Sequence, residues 1–280
     1  MSTNLILLGI AQDGGVPQAG CSCPHCTAAH ADPHRRQFVA CLGIVDAAAQ
    51  ACWMIDATPD FREQLHLLQS VAPGCRLAGI LLTHAHIGHY TGLIHLGKEA
   101  WHTQALPVYA SASLCAFLRV HAPWRQLVDL GNITLHETAA DRPIVLSPQV
   151  TVTPIPVPHR NEWSDTVAYL VQGPTRRAFY CPDIDSWDQW DRPLRAFLDG
   201  VDVAFLDATF HSPAELPGRD LSQIPHPFAV DTAARLAGTS CDVRLIHLNH
   251  SNPLYFVGPA RAAMAAQGVG VGVTGDQWEV

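Results

Sequence analysis

Lysine is nearly missing from this chain. Lys98 stands alone, and Lys and Arg together number 17 against 25 Asp and Glu, a formal charge of −8. That balance excludes a nucleic-acid binder working through a basic face, because such binding draws its affinity from neutralised phosphates. Charged residues are scarce altogether, at 15%, while 48% of the residues are apolar. Disordered chains show the opposite composition. No apolar run approaches the ~20 residues of a membrane-spanning helix. The opening MSTNLILLGIAQDGG has neither the basic region nor the cleavage site of a secretory signal. A cytoplasmic protein is expected, acting on a small molecule and engaging neither membrane nor nucleic acid. A chain of 280 residues can bury about 75% of its unfolded surface, so it needs no disulfides to sustain a core.

Histidine and cysteine are the residues in surplus. The 16 His nearly equal the 17 Lys plus Arg, and three of the nine Cys (Cys21, Cys23 and Cys26) crowd into six residues. Where no signal peptide precedes it, such a cluster reads as metal binding before disulfide formation, with a redox role as the rival. The scattered Cys41, Cys52, Cys75, Cys115, Cys181 and Cys241 are expected as small core residues.

Short apolar segments punctuated by Gly and Pro give the organisation; no linker and no internal repeat with a clear period interrupts it. Strands are expected at Asn4–Gly9, Leu42–Val45, Ala51–Asp56, Leu77–Thr83 and Pro107–Ala110, with 42–45 and 51–56 forming a hairpin. Ile133–Thr138, Gln149–Val157 and Thr166–Gln172 read as an antiparallel run. Ala178–Cys181, Val203–Asp207, Arg244–Leu248 and a closing Val269–Thr274 complete the strands. Helices are expected at Pro59–Ser70, where Phe61, Leu65 and Leu68 recur at spacings of four and three, and at Ser113–His121, Leu194–Leu198, Ala229–Ala237 and Pro259–Ala266. Strands and helices in this order predict a layered α/β protein with two sheets inside and helices outside.

Chemistry concentrates in LLTHAHIGHYTGL, which carries His84, His86 and His89. A buried strand running into a turn can bring three such imidazoles to one point, and imidazole suits zinc, iron or manganese. Three further segments end a strand with a metal-capable side chain: VTPIPVPHRNEW with His159, FYCPDIDSW with Asp183, and RLIHLNHSNP with His247 and His250. Function gathers at such loop positions on rigid scaffolds.

With these residues in place, the chain resembles the metallo-β-lactamase superfamily, whose ligands run His-x-His-x-Asp-His, then His, Asp and His, each after a strand. The resemblance spans nearly the whole chain and implies one αββα sandwich, 1–280, with the cysteine knuckle at its N-terminus. It implies that His84, His86 and His159 hold one metal, that His89 and His247 hold a second, and that Asp183 bridges, with Asp185 the weaker bridging candidate. Asp183, His89 and His247 become the catalytic candidates. Asp56, in MIDATPD, matches an aspartate that supports the histidine loop from outside the ligand shell. One departure stands out: the family's aspartate between the second and third histidines is Gly88 here, which leaves one or two metals as the expectation for the site.

The cysteine cluster needs a fourth ligand to close a tetrahedral structural zinc. His250 is favoured, since His247-Leu-Asn-His250 can send one ring to each centre; His30 and His34 are the alternatives, and His25 lies too near in the chain. A glycine-rich loop before Cys-x-Cys-x-x-Cys is similar to the cyclic-phosphate phosphodiesterases of the carbon–phosphorus lyase pathway. GGVPQAGCSCPHC, ATPDFREQL, IGHYTGL and HLNHSNPLYF more closely resemble coenzyme PQQ synthesis protein B. That family typically lacks the first two histidines of the motif, and this chain keeps both. The resemblance implies one structural zinc and one or two zinc, manganese or iron ions in a hydrolase of phosphodiesters or esters. An iron-dependent oxygenase of quinone-cofactor synthesis, and a non-catalytic carrier, are the other readings. Arg160, His211 and His226 are candidate substrate contacts, and a homodimer is the expected assembly.

Overall fold

The computed structural model describes residues 3–220 and 223–280. In chain order the strands are β1 (Thr3–Gly9), β2 (Cys41–Asp46), β3 (Ala51–Ile55), β4 (Arg76–Leu81), β5 (Leu106–Ser111), β6 (Ile133–Thr138), β7 (Ile144–Val145), β8 (Thr151–Pro156), β9 (Val167–Gln172), β10 (Arg177–Cys181), β11 (Val203–Asp207), β12 (Asp242–Ile246), β13 (Val269–Val271) and β14 (Gln277–Glu279). They form two seven-stranded mixed sheets, ordered β14-β1-β2-β3-β4-β5-β6 and β13-β12-β11-β10-β9-β8-β7. In the first, β14 to β3 pair antiparallel and β3 to β6 parallel. The second repeats the scheme, with β13 to β10 parallel and β10 to β7 antiparallel.

The α-helices are α1 (Pro24–Ala31), α2 (Phe61–Val71), α3 (Ile87–Tyr90), α4 (Ala112–Val120), α5 (Trp124–Asp129), α6 (Leu194–Phe197), α7 (Ala229–Leu236) and α8 (Pro259–Ala266), with short 3-10 turns at Pro33–Arg35, Thr91–Leu96 and Pro253–Tyr255. Both faces of the central strands are buried, which is why β1 reads as a continuous apolar run. Leu5 and Leu7 join Leu42, Ile44 and Ile55 in one cluster with Tyr169, Phe179 and Phe205 of the second sheet. The alternate Ile6 and Leu8 pack with Phe61 and Leu68 of α2, on the other face. The result is the αββα sandwich. No helix among the described residues is long and apolar enough to cross a membrane.

Three expectations are corrected. Ile133–Thr138 does not belong to the antiparallel run: β6 lies parallel to β5 in the first sheet. The helical connection through α4 and α5 returns the chain in the same direction, as a crossover does and a hairpin cannot. The closing strand is also displaced. β13 stops at Val271, and Gly272 leaves the ladder where an added Cβ would lie 2.5 Å from the Leu7 side chain. The chain then returns as β14, pairing Leu5 with Trp278, a segment too short to show periodicity. Five of the six scattered cysteines are buried, but Cys75 is only half-buried, in the turn after α2.

Candidate metal centre

The strand ends set the geometry. β4 runs into Thr83 and His84, α3 carries His89, and His159, Asp183 and His247 each follow a strand of the second sheet. His84, His86, His159 and Asp183 present ligand atoms within 4.8 Å of one another, and so do Asp13, His89, Asp183 and His247. Asp183 belongs to both groups: its Oδ2 is 3.4 Å from His84 Nε2 and 3.7 Å from Nε2 of His89 and of His247, while its Oδ1 is 3.3 Å from His159 Nε2. Asp185 stands aside, 2.7 Å from the outer nitrogen, Nδ1, of His159.

Each ring but that of His86 is turned by a partner on its other nitrogen. Asp56 faces His89 Nδ1 at 2.7 Å and accepts from the backbone N–H of Thr83 at 2.8 Å and from its hydroxyl at 2.9 Å. That hydroxyl is 2.9 Å from His84 Nδ1. Thr209 Oγ1 lies 2.9 Å from His247 Nδ1 and donates to Asp207 at 2.8 Å. His86 is the exception, with Nε2 on Glu162 at 3.2 Å and Nδ1 3.1 Å from His159 Nε2. Such outer partners fix which nitrogen points inward. Asp56 and His247 adopt left-handed backbone, at φ 72° and 60°, a conformation that costs about 1–2 kcal/mol outside glycine and that clusters at functional sites.

The polar atoms at the middle suit a metal. Nε2 of His84, His89 and His247, and Oδ1 of Asp13 and Asp183, are buried without a hydrogen-bond partner. Leaving such an atom unsatisfied costs roughly 1–3 kcal/mol, and cations in the two ligand groups that meet at Asp183 would satisfy all of them. Charge is divided unevenly. Burial, then the neighbouring His89, pushes His84 well below the ordinary imidazole range. Burial opposes protonation of His89 too, but the Asp56 and Asp13 carboxylates outweigh it and hold the ring well above that range. Burial would raise Asp183, and His159, His247 and His226 overcome it and keep the carboxyl well below the usual carboxylate range. A metal bound through His89 Nε2 would have to displace a proton, so its uptake there would release protons.

Two acids and a histidine escaped the family pattern. Asp13, in the loop after β1, and Asp207, at the end of β11, went unread. His226, singled out only as a substrate contact, lies 2.7 Å from Asp207 and 3.3 Å from Asp183 through Nδ1. Burial disfavours its charge, but Asp207 and then Asp183 raise its pKa to about 9. His226, Arg160 and Arg219 line a cavity of about 210 Å³ with Gln12, Thr209 and Asn249. Arg160 Nε is buried there without a partner. His211 lies apart from this cavity lining, its backbone N–H donating to Glu215 at 2.6 Å.

The cysteine knuckle gathers Cys21, Cys23, Cys26 and His250, with ligand atoms within 4.8 Å of one another. His250 Nδ1 is 3.4 Å from the Sγ of Cys21 and of Cys23; bonds of ~2.0 Å to nitrogen and ~2.3 Å to sulfur at tetrahedral angles give about 3.5 Å. His25 instead braces the His250 carbonyl at 2.7 Å, and His30 and His34 stand outside the group. None of the nine cysteines is joined in a disulfide.

Comparison with known proteins agrees with this architecture. Residues 53–250 match the β-lactamase superfamily domain, and the chain belongs to that superfamily. Among its relatives, coenzyme PQQ synthesis protein B of Methylobacterium sp. (strain 4-46) is 27% identical over 94% of this chain and 95% of its own. The protein of the same name from Gluconacetobacter diazotrophicus is 28% identical at the same coverage. Among solved structures, Zn(2+)-bound PqqB from Methylobacterium extorquens superposes with a TM-score of 0.82 at 20% identity, over 99% of this chain and 100% of that one. A diphosphatase of the PhnP family gives 0.71 at 22% identity, over 100% and 98%. At these identities the structural likeness speaks for the fold.

Proposed function

We propose that this chain is a metal-dependent hydrolase of a small anionic ester, a phosphodiester by preference. His84, His86 and His159 hold one metal, His89 and His247 hold a second, and Asp183 lies between them. The observation that carries the reading is the meeting of His226, Arg160 and Arg219 in one cavity beside Asp183. Metal in this centre supplies a water acidic enough to ionise near neutral pH and a Lewis acid for the phosphoryl or carbonyl oxygen.

The chain's own residues supply the rest. Arg160 and Arg219 give a positive lining in a protein of net charge −8, suited to orienting an anion. Asp207 can only accept, so His226 Nδ1 donates to it, and Nε2 is the atom left to serve the cavity. In the metal-free chain burial disfavours charge on this ring, but Asp207 and then Asp183 raise its pKa to about 9; an imidazolium kept at this place by Asp207 can deliver its proton to a leaving oxygen.

The names of the relatives favour a second reading, an oxygenase-type step in quinone-cofactor synthesis. That step needs redox-active iron at the same histidines. Elemental analysis of protein purified without added metal or chelator, paired with turnover of bis(p-nitrophenyl) phosphate, separates the two. Two or three zinc per chain with turnover lost in His86→Ala supports the hydrolase. Iron beside a single zinc, with oxygen uptake and no phosphodiester turnover, supports the oxygenase. A single zinc that His86→Ala leaves in place means that the histidine centre holds nothing.

A further inference from the structure

The glycine at 88 is not an unfilled place. A Cβ built on Gly88 would lie 2.1 Å from Oδ1 of Asp13, 2.7 Å from its Cγ and 2.8 Å from its Cα. No side chain fits at such distances, so residue 88 is Gly because Asp13 already occupies the space. Asp13 comes from another part of the chain, the loop that leaves β1 for the knuckle. Its Oδ1 lies 3.2 Å from His89 Nε2 and 3.5 Å from His247 Nε2. All three atoms are buried and lack hydrogen-bond partners. The outer nitrogens of both rings are already engaged by Asp56 and Thr209, so the inner ones face Asp13, with Asp183 Oδ2 3.7 Å from each.

We propose that Asp13 is a ligand of the second metal, filling from the β1 loop the place that the superfamily pattern gives to residue 88. The ligand has moved in the chain while its position in space is kept. A carboxylate with two imidazoles and the shared Asp183 is an ordinary donor set for zinc or manganese. The loop is also held in place: Gln12 N donates to Leu248 O at 2.9 Å, and Leu248 N to Ile10 O at 2.8 Å. These bonds tie Gln12 and Ile10, just before Asp13, to Leu248, the residue after His247. The inference rests on the metal centre of the preceding section and not on which reaction that centre performs.

The test is metal uptake by stripped protein, titrated with Zn(II) and, separately, Co(II). Wild type should take up one ion at the knuckle and two at the centre. Asp13→Asn keeps the shape and removes the charge. Outer partners of a metal ligand are worth ~10–100-fold in affinity, so loss of a direct ligand should weaken one of the central ions at least that much and leave the other two unchanged. Gly88→Ala deletes no candidate ligand, yet its Cβ must displace Asp13, so it should lose the same ion. Thermal unfolding of the metal-free variants checks that both remain folded. An Asp13→Asn protein that binds every ion with wild-type affinity overturns the assignment and leaves the centre standing. A wild type that fills only the knuckle overturns the centre and the assignment together.

Discussion

Asp56-Ala57-Thr58 follows β3 in the first sheet, and Asp207-Ala208-Thr209 closes β11 in the second. Each aspartate is fully buried and accepts the N–H and the hydroxyl of one threonine, Thr83 in the first case and Thr209 in the second. The hydroxyl then meets the Nδ1 of one histidine, and the second carboxylate oxygen meets the Nδ1 of another. The support is the same, but the rings it aims differ. At the first sheet both rings, His84 and His89, turn inward to the metal-capable group. At the second, His247 turns inward, while His226 lies within ligand distance of Asp183, Asp207 and His247 and also lines the arginine-bearing cavity. On the function proposed above, one carboxylate-and-threonine unit would hold ligands on one side, and on the other would hold both a ligand and a proton-bearing ring.

That contrast is broken most severely at His226. If its ring delivers a proton and does not hold the second metal, His226→Gln should lower phosphodiester turnover by ~10²–10⁴-fold, the range of general acid catalysis, with the metal content of wild type. Loss of metal in that variant would make the two sides equivalent and end the distinction.

The two aspartates sharpen it at smaller scale. Asp56→Asn disturbs two inward rings, whereas Asp207→Asn disturbs one inward ring and His226. Each should cost ~10–100-fold in metal affinity. Asp56→Asn should weaken ions on both sides of Asp183, through His84 and through His89, and Asp207→Asn only the ion that His247 faces. Calorimetric titration of the stripped proteins distinguishes these patterns; identical profiles would show that the repeated support carries no division of labour.

The comparison also explains what the sequence made legible. His84, His86, His89, His159, Asp183 and His247 could be read because each follows a buried strand, and the strands themselves follow from apolar runs. Asp56 came with the family pattern. Asp207 carried a usable signal of its own, since FLDAT repeats MIDAT; a search for a repeat of fixed period passes over two matching strand ends. Asp13 had no such signal. It sits in a turn-rich loop, and its relation to Gly88 is a contact between a loop and a helix that only the folded chain brings together. The parallel placement of β6 follows from the helices α4 and α5 between it and β5, a connection that neighbouring strands in the sequence do not by themselves reveal.

The smallest effect is a titration. In the metal-free protein His226 is raised to about 9, against an unfolded imidazole near 6.5. A base whose folded pKa is raised contributes stability that is complete below the unfolded value and is lost as pH rises through the folded one. The window is therefore pH ~6.5 to 9, with a slope of at most ~1.4 kcal/mol per pH unit. His84, which burial and His89 depress, acts the other way, its unfavourable contribution fading as pH rises toward the unfolded value. Subtracting the stability–pH curve of metal-free His226→Gln from that of metal-free wild type removes the His84 contribution, because both proteins carry it. The difference should be flat below pH 6 and fall between pH 7 and 9, as chemical denaturation across that range would show. A difference that stays level to pH 9 would mean that Asp207 and Asp183 do not keep a proton on His226, and the second sheet's support would then be a ligand holder like the first.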